Sequence, residues 1–242
     1  MPKGQKVEKI NAFHLVNLSN PWYNVSNIFS LEAFMIKIIF ENSNFVICEK
    51  DAGLLSEFSA YSPISLPLLL CKQLSINELY TVHRLDKDVS GLIVYAKNAT
   101  AAAEISRQIN DGDFNKEYIA IVSGKLDYSE GTLRDLLYHD KQKNKTYVVK
   151  KKRAGVKEAV LEYNVIDYDS VNDVSKLKIK LLTGRTHQIR VQFASRGHSI
   201  VGDRKYGSAI NTKPIRLHSH LISFFNASAN ERNTFTSTPN WI

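Results

Sequence analysis

Three short segments gather the residues able to do chemistry: HRLDKDVSG over 83–91, NKEY over 115–118 and LTGRTHQIR over 182–190. The first sets one carboxylate, Asp86, between Arg84 and Lys87, just ahead of Gly91 and the β-prone run 92–95. A polar turn at the mouth of a strand is where a rigid scaffold can present groups to a substrate. A carboxylate there can attack a sugar carbon, accept a proton or bind a metal. Beside an arginine it stays ionised, because the opposite charge offsets part of the desolvation cost. The plainer reading is that Asp86 only closes a turn with Lys87 and Ser90.

In the third segment Gly184 allows a tight turn out of a strand. Thr186 is placed to cap a helix whose N-terminal amides favour an anion. His187 and Arg190 stand three apart and would share one face of that helix. Arg190 is the natural partner for Asp86, which leaves Arg185 and His187 for phosphate or base contacts. A basic helix end satisfied by solvent is the bland version. Tyr118 opens a strand after Lys116 and Glu117, and can offer its ring to a base and its hydroxyl to a proton. Most strand tyrosines merely pack.

The elements that must position these residues are mainly strands. Alternation predicts strands over 36–40, 45–48, 79–83, 92–96, 118–122, 159–168, 177–181 and 215–225. Helices are expected over 66–74, from an Asn98 cap to a Gly112 stop, and over 186–196 with Gly197 beyond it. Residues 1–34 lack a sustained period and read as an extension; 35–242 read as the catalytic body. The whole reads as one α+β domain with a largely antiparallel mixed sheet.

Composition narrows the class. The 242 residues are 43% hydrophobic and 23% charged, as in ordinary globular proteins. No stretch approaches the ~18 apolar residues of a membrane span, and residues 1–16 lack a signal-peptide core. Cys48 and Cys71 form no CxxC pair, which fits a reduced, cytoplasmic setting. The net charge is +8, unevenly spread. Eight bases and no acid occupy 141–157; eight bases and the single acid Asp203 occupy 176–205. Such clusters attract polyanions, or simply keep a surface solvated.

Rival chemistries find less support. His218 and His220 sit two apart on an expected strand, with His187 or His198 as further candidate metal ligands in a nuclease. No HExxH, cysteine pair or carboxylate cluster completes a ligand set. GxxxxGK[ST] and GxGxxG are absent, which argues against nucleotide-driven or dinucleotide redox chemistry. A catalytically silent RNA-binding or RNA-folding protein would use the same basic surface, but would not need Asp86.

HRLDKDVSG, NKEY, TGRTHQIRVQFASRGHSIVGD and the following RKYG together resemble the RluA-type pseudouridine synthases, which isomerise uridine in structured RNA to its C-glycoside. The resemblance runs from about Met35 to the C-terminus. It implies the pseudouridine synthase fold and an isomerase acting on rRNA or tRNA, with no metal, nucleotide or other cofactor; a monomer is expected, since nothing in the pattern demands a dimer. It implies Asp86 as the catalytic carboxylate, either attacking C1′ or abstracting the C2′ proton. Tyr118 would stack on the base and take part in proton transfer at C5, Arg190 would pair with Asp86, and Arg84 would enter the RNA. Leu85 and Ile189 would support the base pocket, with His83, Arg185, His187 and Gln188 among the substrate contacts. Val89 stands where Thr is usual, Asp51 where Pro is usual and Gln192 where His is common. An S4 RNA-binding domain, found in many relatives, is not visible, so RNA recognition is expected to rest on the catalytic domain.

Overall fold

Alternating apolar residues build one twelve-stranded mixed sheet in the computed structural model, which describes residues 8–11, 35–58 and 64–241. In chain order come β1 (Glu8–Asn11), β2 (Ile38–Glu41), β3 (Phe45–Lys50), α1 (Leu66–Gln73), β4 (Glu78–Thr81) and β5 (Ser90–Ala96). Next are α2 (Ala99–Asp111), β6 (Asn115–Ser123), β7 (Glu130–Asp140), β8 (Lys145–Val149), β9 (Val156–Asp169) and β10 (Val174–Leu181). The chain ends with α3 (Gln188–Ala194), a 3-10 turn (Arg204–Tyr206), β11 (Leu217–Asn226) and β12 (Glu231–Thr236). The architecture is α+β. Of the segment 1–34, only β1 is described; it pairs antiparallel with β4.

The main path runs β1-β4-β5-β11-β6-β10-β9-β7-β8, with β3 also on β5, β2 on β3 and β12 on β11. All pairings are antiparallel except β5 with β11. That one parallel seam positions the site. It sets Gly91 opposite Ser219, and Ser219 lies opposite Tyr118 on β6. The turn that carries Asp86 is therefore in line with Tyr118, across three strands. Leu69 and Leu70 of α1 and Ile189 and Phe193 of α3 join one buried cluster with Ile93 and Tyr95 of β5. Ala102 and Ile105 of α2 join another with Leu92 and Val94. Alternate residues of β5 thus feed two apolar layers.

Three expectations change. The helix expected over 186–196 begins at Gln188, because His187 takes a left-handed conformation (φ 55°) that no α-helix accepts. Thr186 therefore does not cap it, and seven residues make too short a helix for an anion site at its N-terminus. Strands β7, β8 and β12 were not expected from the sequence. Finally, the basic run 176–205 divides between faces. Tyr118 is paired with Ile179, so alternation turns Lys178 and Lys180 to the opposite side of the sheet from Tyr118. By contrast, Asn98 does cap α2, its Oδ1 accepting from Ala101 N at 2.9 Å, and Gly112 ends it at φ 84°.

Gly91 makes the parallel seam possible. Its φ is 110°, and a Cβ there would lie 2.6 Å from Ser219 N and closer still to Ser219 O, both backbone atoms. Gly91→Ala adds backbone strain to a clash that no rotamer change relieves. The expected outcome is a loss of about 3 kcal/mol or more of stability in urea unfolding, with near-normal behaviour overturning this account.

Candidate active site

The loop between β4 and β5 carries Asp86 and is held from below. Val89 N donates to Asp86 O at 3.0 Å, closing the turn through the backbone. Lys50, at the end of β3 and fully buried, donates from Nζ to Asp51 O (2.9 Å), Leu54 O (2.9 Å) and Lys87 O (3.1 Å). Burial pulls this ammonium down to about 8, against the opposing pull of Asp86, Asp88 and Asp51. Ser56 clamps the other side, with Oγ donating to Leu85 O (2.6 Å) and facing Leu85 N (3.1 Å). The turn is rigid because its carbonyls and amides have internal partners.

Arg190 reaches this loop from α3. Its Nη1 lies 3.2 Å from Asp86 Oδ2, and Nη2 lies 3.5 Å from Asp88 Oδ2. Its strongest tie is elsewhere: Nε donates to Asp203 Oδ2 at 2.6 Å and Nη2 to Asp203 Oδ1 at 2.9 Å. Burial opposes the charge of Arg190, but the carboxylates of Asp203 and Asp86 outweigh it and hold the guanidinium ionised. His187 Nε2 stands 3.9 Å from the same Asp86 Oδ2, while its Nδ1 lies 2.8 Å from Tyr206 Oη. Beneath the loop, Leu85, Val89, Tyr118 and Ile189 belong to one buried cluster. Burial, reinforced by the charge of Asp86, pushes the Tyr118 phenol well above its ordinary range, so it stays protonated.

Comparison with known proteins decides the family. The description "RNA pseudouridylate synthase" matches residues 44–195. This chain belongs to that family. It is 35% identical over 200 residues to the ribosomal large subunit pseudouridine synthase D of Borreliella burgdorferi, covering 77% of this chain and 60% of the relative. An uncharacterized RNA pseudouridine synthase of Aquifex aeolicus is 34% identical over 196 residues, covering 78% and 61%. The matched region thus spans about three fifths of those relatives. The dual-specificity RNA pseudouridine synthase RluA of Salmonella typhimurium is 29% identical, with 82% and 90% covered. In fold, the human RNA pseudouridylate synthase domain containing 1 superposes with a TM-score of 0.74 at 22% identity, over 86% of this chain and 85% of that one.

Within this pseudouridylate synthase fold, the residues singled out in the sequence separate into two sets. Asp86, Arg190, His187, Tyr118, Leu85 and Ile189 come together around the loop. Three others have polar atoms engaged by the scaffold. His83 is buried, its Nε2 accepting from Val94 N at 3.1 Å and its ring against Phe114, so it stitches the loop base to β5. Gln188 is spent on the scaffold: Oε1 accepts from Thr183 Oγ1 (2.8 Å) and Arg185 N (3.0 Å), and Nε2 donates to Val160 O (3.1 Å). Arg185 turns to β9, Nε donating to Glu158 O at 2.9 Å. Arg84 is exposed and pairs with Glu57 at 2.6 Å.

Of the histidines weighed as metal ligands, His218 has both nitrogens engaged, by Ser90 Oγ at 2.9 Å and Ser237 Oγ at 3.1 Å. His220 Nδ1 lies 2.6 Å from Ser237 O. Sequence reading missed Asp203, Lys50 and Tyr206 as parts of the site. For Asp203 a signal existed, since it is the only acid in the run 176–205.

Burial pulls three histidines down: His83 to about 3, His187 to about 4 and His218 to about 4. Unfolded histidine titrates near 6.5, so below that pH the unfolded chain binds protons that the folded one refuses. Stability from these groups is complete above about 6.5 and is lost as pH falls towards 4. Unfolding titrations at pH 7 and pH 5 should differ by about 1–2 kcal/mol per histidine, and His83→Gln should flatten the dependence. Equal stability at both pH values would contradict it.

Proposed function

We propose that this protein is an RNA pseudouridine synthase that converts a uridine of structured rRNA or tRNA to pseudouridine, with Asp86 as the catalytic carboxylate. The observation that carries this reading is the one-sided grip on Asp86. Arg190 and His187 both approach Oδ2, so Oδ1 is left for the substrate. The reaction breaks N1–C1′, turns the base and joins C5 to C1′, with the C5 proton lost and one gained at N1. Atoms balance without redox, ATP or metal. Asp86 either attacks C1′ or takes the C2′ proton; an oriented carboxylate with one oxygen open serves both. Tyr118 lies buried beneath the loop as a protonated phenol; for its oxygen to receive the C5 proton, it would first pass its own proton on, towards N1 of the turned base. Arg84 would leave Glu57 to occupy the gap of the flipped nucleotide.

This family supplies relatives on both kinds of RNA: besides the ribosomal enzyme above, the tRNA pseudouridine(31) synthase of Saccharomyces cerevisiae is 33% identical over 204 residues. Uridine carrying tritium at C5 gives a direct assay, because product formation releases that label to water. Asp86→Asn is expected to lower release by about 100-fold or more while RNA binding persists. Full activity in Asp86→Asn overturns the assignment.

RNA-backbone contacts are expected on the site's own face. Lys145 lies 5.5 Å from the centre of the Tyr206 ring, and Lys205 Nζ donates to Asn144 O at 2.8 Å in the adjoining turn. Replacing both by Ala should weaken RNA binding and reduce the slope of log K against log salt by about 1 per lost phosphate contact. Lys178→Ala, on the opposite face and paired with Glu117 at 2.9 Å, should change neither. The reverse pattern would place the RNA on the other face.

A further inference from the structure

We propose that Tyr206 fixes His187 as the Nε2–H tautomer, so that a neutral imidazole presents a proton to Asp86 Oδ2 and acts with Arg190 as a positioning residue. This inference rests on the reading of Asp86 as the catalytic carboxylate. Tyr206 Oη accepts from Thr146 N at 2.9 Å and lies 2.8 Å from His187 Nδ1. Thr146 is itself fixed, its Oγ1 donating to Thr186 O at 2.9 Å with His139 Nδ1 at 3.0 Å on the other side. The phenol has one proton to give, and His187 Nδ1 is the acceptor it faces. With Nδ1 accepting, the ring proton of a neutral imidazole sits on Nε2.

The opposite tautomer is electrostatically wrong. It would aim the Nε2 lone pair at the carboxylate oxygen 3.9 Å away, where a proton is attracted and a lone pair repelled. Protonating both nitrogens is also opposed. Burial is the largest cause, and Arg190, Lys205 and His139 add to it, so that His187 is pulled to about 4 despite Asp86. The left-handed backbone at His187 is part of the device. It lies in the turn before α3 and brings the ring towards both Tyr206 and Asp86, with T-shaped contact to the Tyr206 ring at 5.6 Å.

At 3.9 Å the Nε2–Oδ2 approach is not a hydrogen bond. A shift of about 1 Å when RNA closes the site would make it one, as catalytic hydrogen bonds commonly tighten only in the complex. Arg190 already reaches the same oxygen at 3.2 Å. Two donors on Oδ2 define the plane of the carboxylate and leave Oδ1 aimed outward. Tyr206 Oη reaches His187 rather than Asp86, and its ring lies 5.3 Å from the Arg190 guanidinium, a contact that Phe would keep.

Histidine-specific 15N NMR on the RNA-free full chain reads the tautomer directly. The wild type is expected to show His187 protonated on Nε2 alone, and Tyr206→Phe a mixture of tautomers. In the tritium-release assay Tyr206→Phe should lose about 10- to 100-fold in kcat with KM changed less than about 2-fold. His187→Gln, which keeps a donor near the place of Nε2, should exceed His187→Ala in kcat. An Nδ1–H wild type overturns the proposal, as does a kcat loss in Tyr206→Phe with an unchanged tautomer or equal rates for the two His187 variants. Should Tyr206→Phe fail to fold, the wild-type spectrum and the His187 pair still decide. The spectrum needs no activity, so its failure is separable from failure of Asp86→Asn to lose activity.

Discussion

The site depends on one buried cation. Arg190 is almost entirely enclosed, and an enclosed guanidinium is tolerable only when it is paired and hydrogen-bonded. Asp203 satisfies that demand through two short contacts, 2.6 Å and 2.9 Å, and is itself buried. The charge of Arg190 is therefore largely answered before Asp86 is considered. Asp86 meets it at a longer 3.2 Å and keeps partial access to solvent. This division matters. A carboxylate fully neutralised by a tight ion pair would be a poor nucleophile and a poor base. One held by the outer edge of an already paired arginine is oriented and still partly open to solvent. Such a buried pair contributes placement more than stability.

Everything else serves to bring α3 and the Asp86 loop to that meeting point. The parallel contact of β5 with β11 needs Gly91, because any side chain there would enter the Ser219 backbone. Ser219 in turn faces Tyr118 across the antiparallel β11–β6 pair. Lys50 draws in the carbonyls of Asp51, Leu54 and Lys87, joining the end of β3 to the loop. A reactive side chain gains precision from strands whose register is fixed by buried faces on both sides.

Sequence alone singled out residues that the fold brings together around the 83–91 loop, but not the direction each side chain takes. Asp86 and Arg190 were legible because a carboxylate at a strand mouth and an arginine three residues past a histidine are uncommon choices for packing. α2 was legible from Asn98 and Gly112, whose chemistry is local. For His83 and Gln188 residue type carries no direction: both lie inside the informative segments, and their polar atoms satisfy the backbone of β5 and β9. β8 was missed because its sequence, KTYVV, lies within a basic run that resembles solvated loop. It is an edge strand, where lysines are tolerated and apolar alternation is weak. The helix boundary failed at His187, since a left-handed residue has no signature unless it is glycine or asparagine.

The three departures from the family pattern act on parts of the scaffold that do not require the missing group. Val89 is buried in the cluster beneath the loop, and the bond that closes the turn comes from its backbone N to Asp86 O. A threonine hydroxyl is not needed for that closure. Asp51 contributes its carbonyl to Lys50, a role any residue can fill. Gln192 donates to Asp135 Oδ2 at 2.7 Å and lies within 3.3 Å of Leu133 O, tying α3 to β7. In each case the geometry at Asp86 Oδ2 rests on backbone atoms or on Arg190, His187 and Asp203. Variation at these positions can therefore alter loop stiffness and the seating of α3 without removing the contact between Asp86 and Arg190.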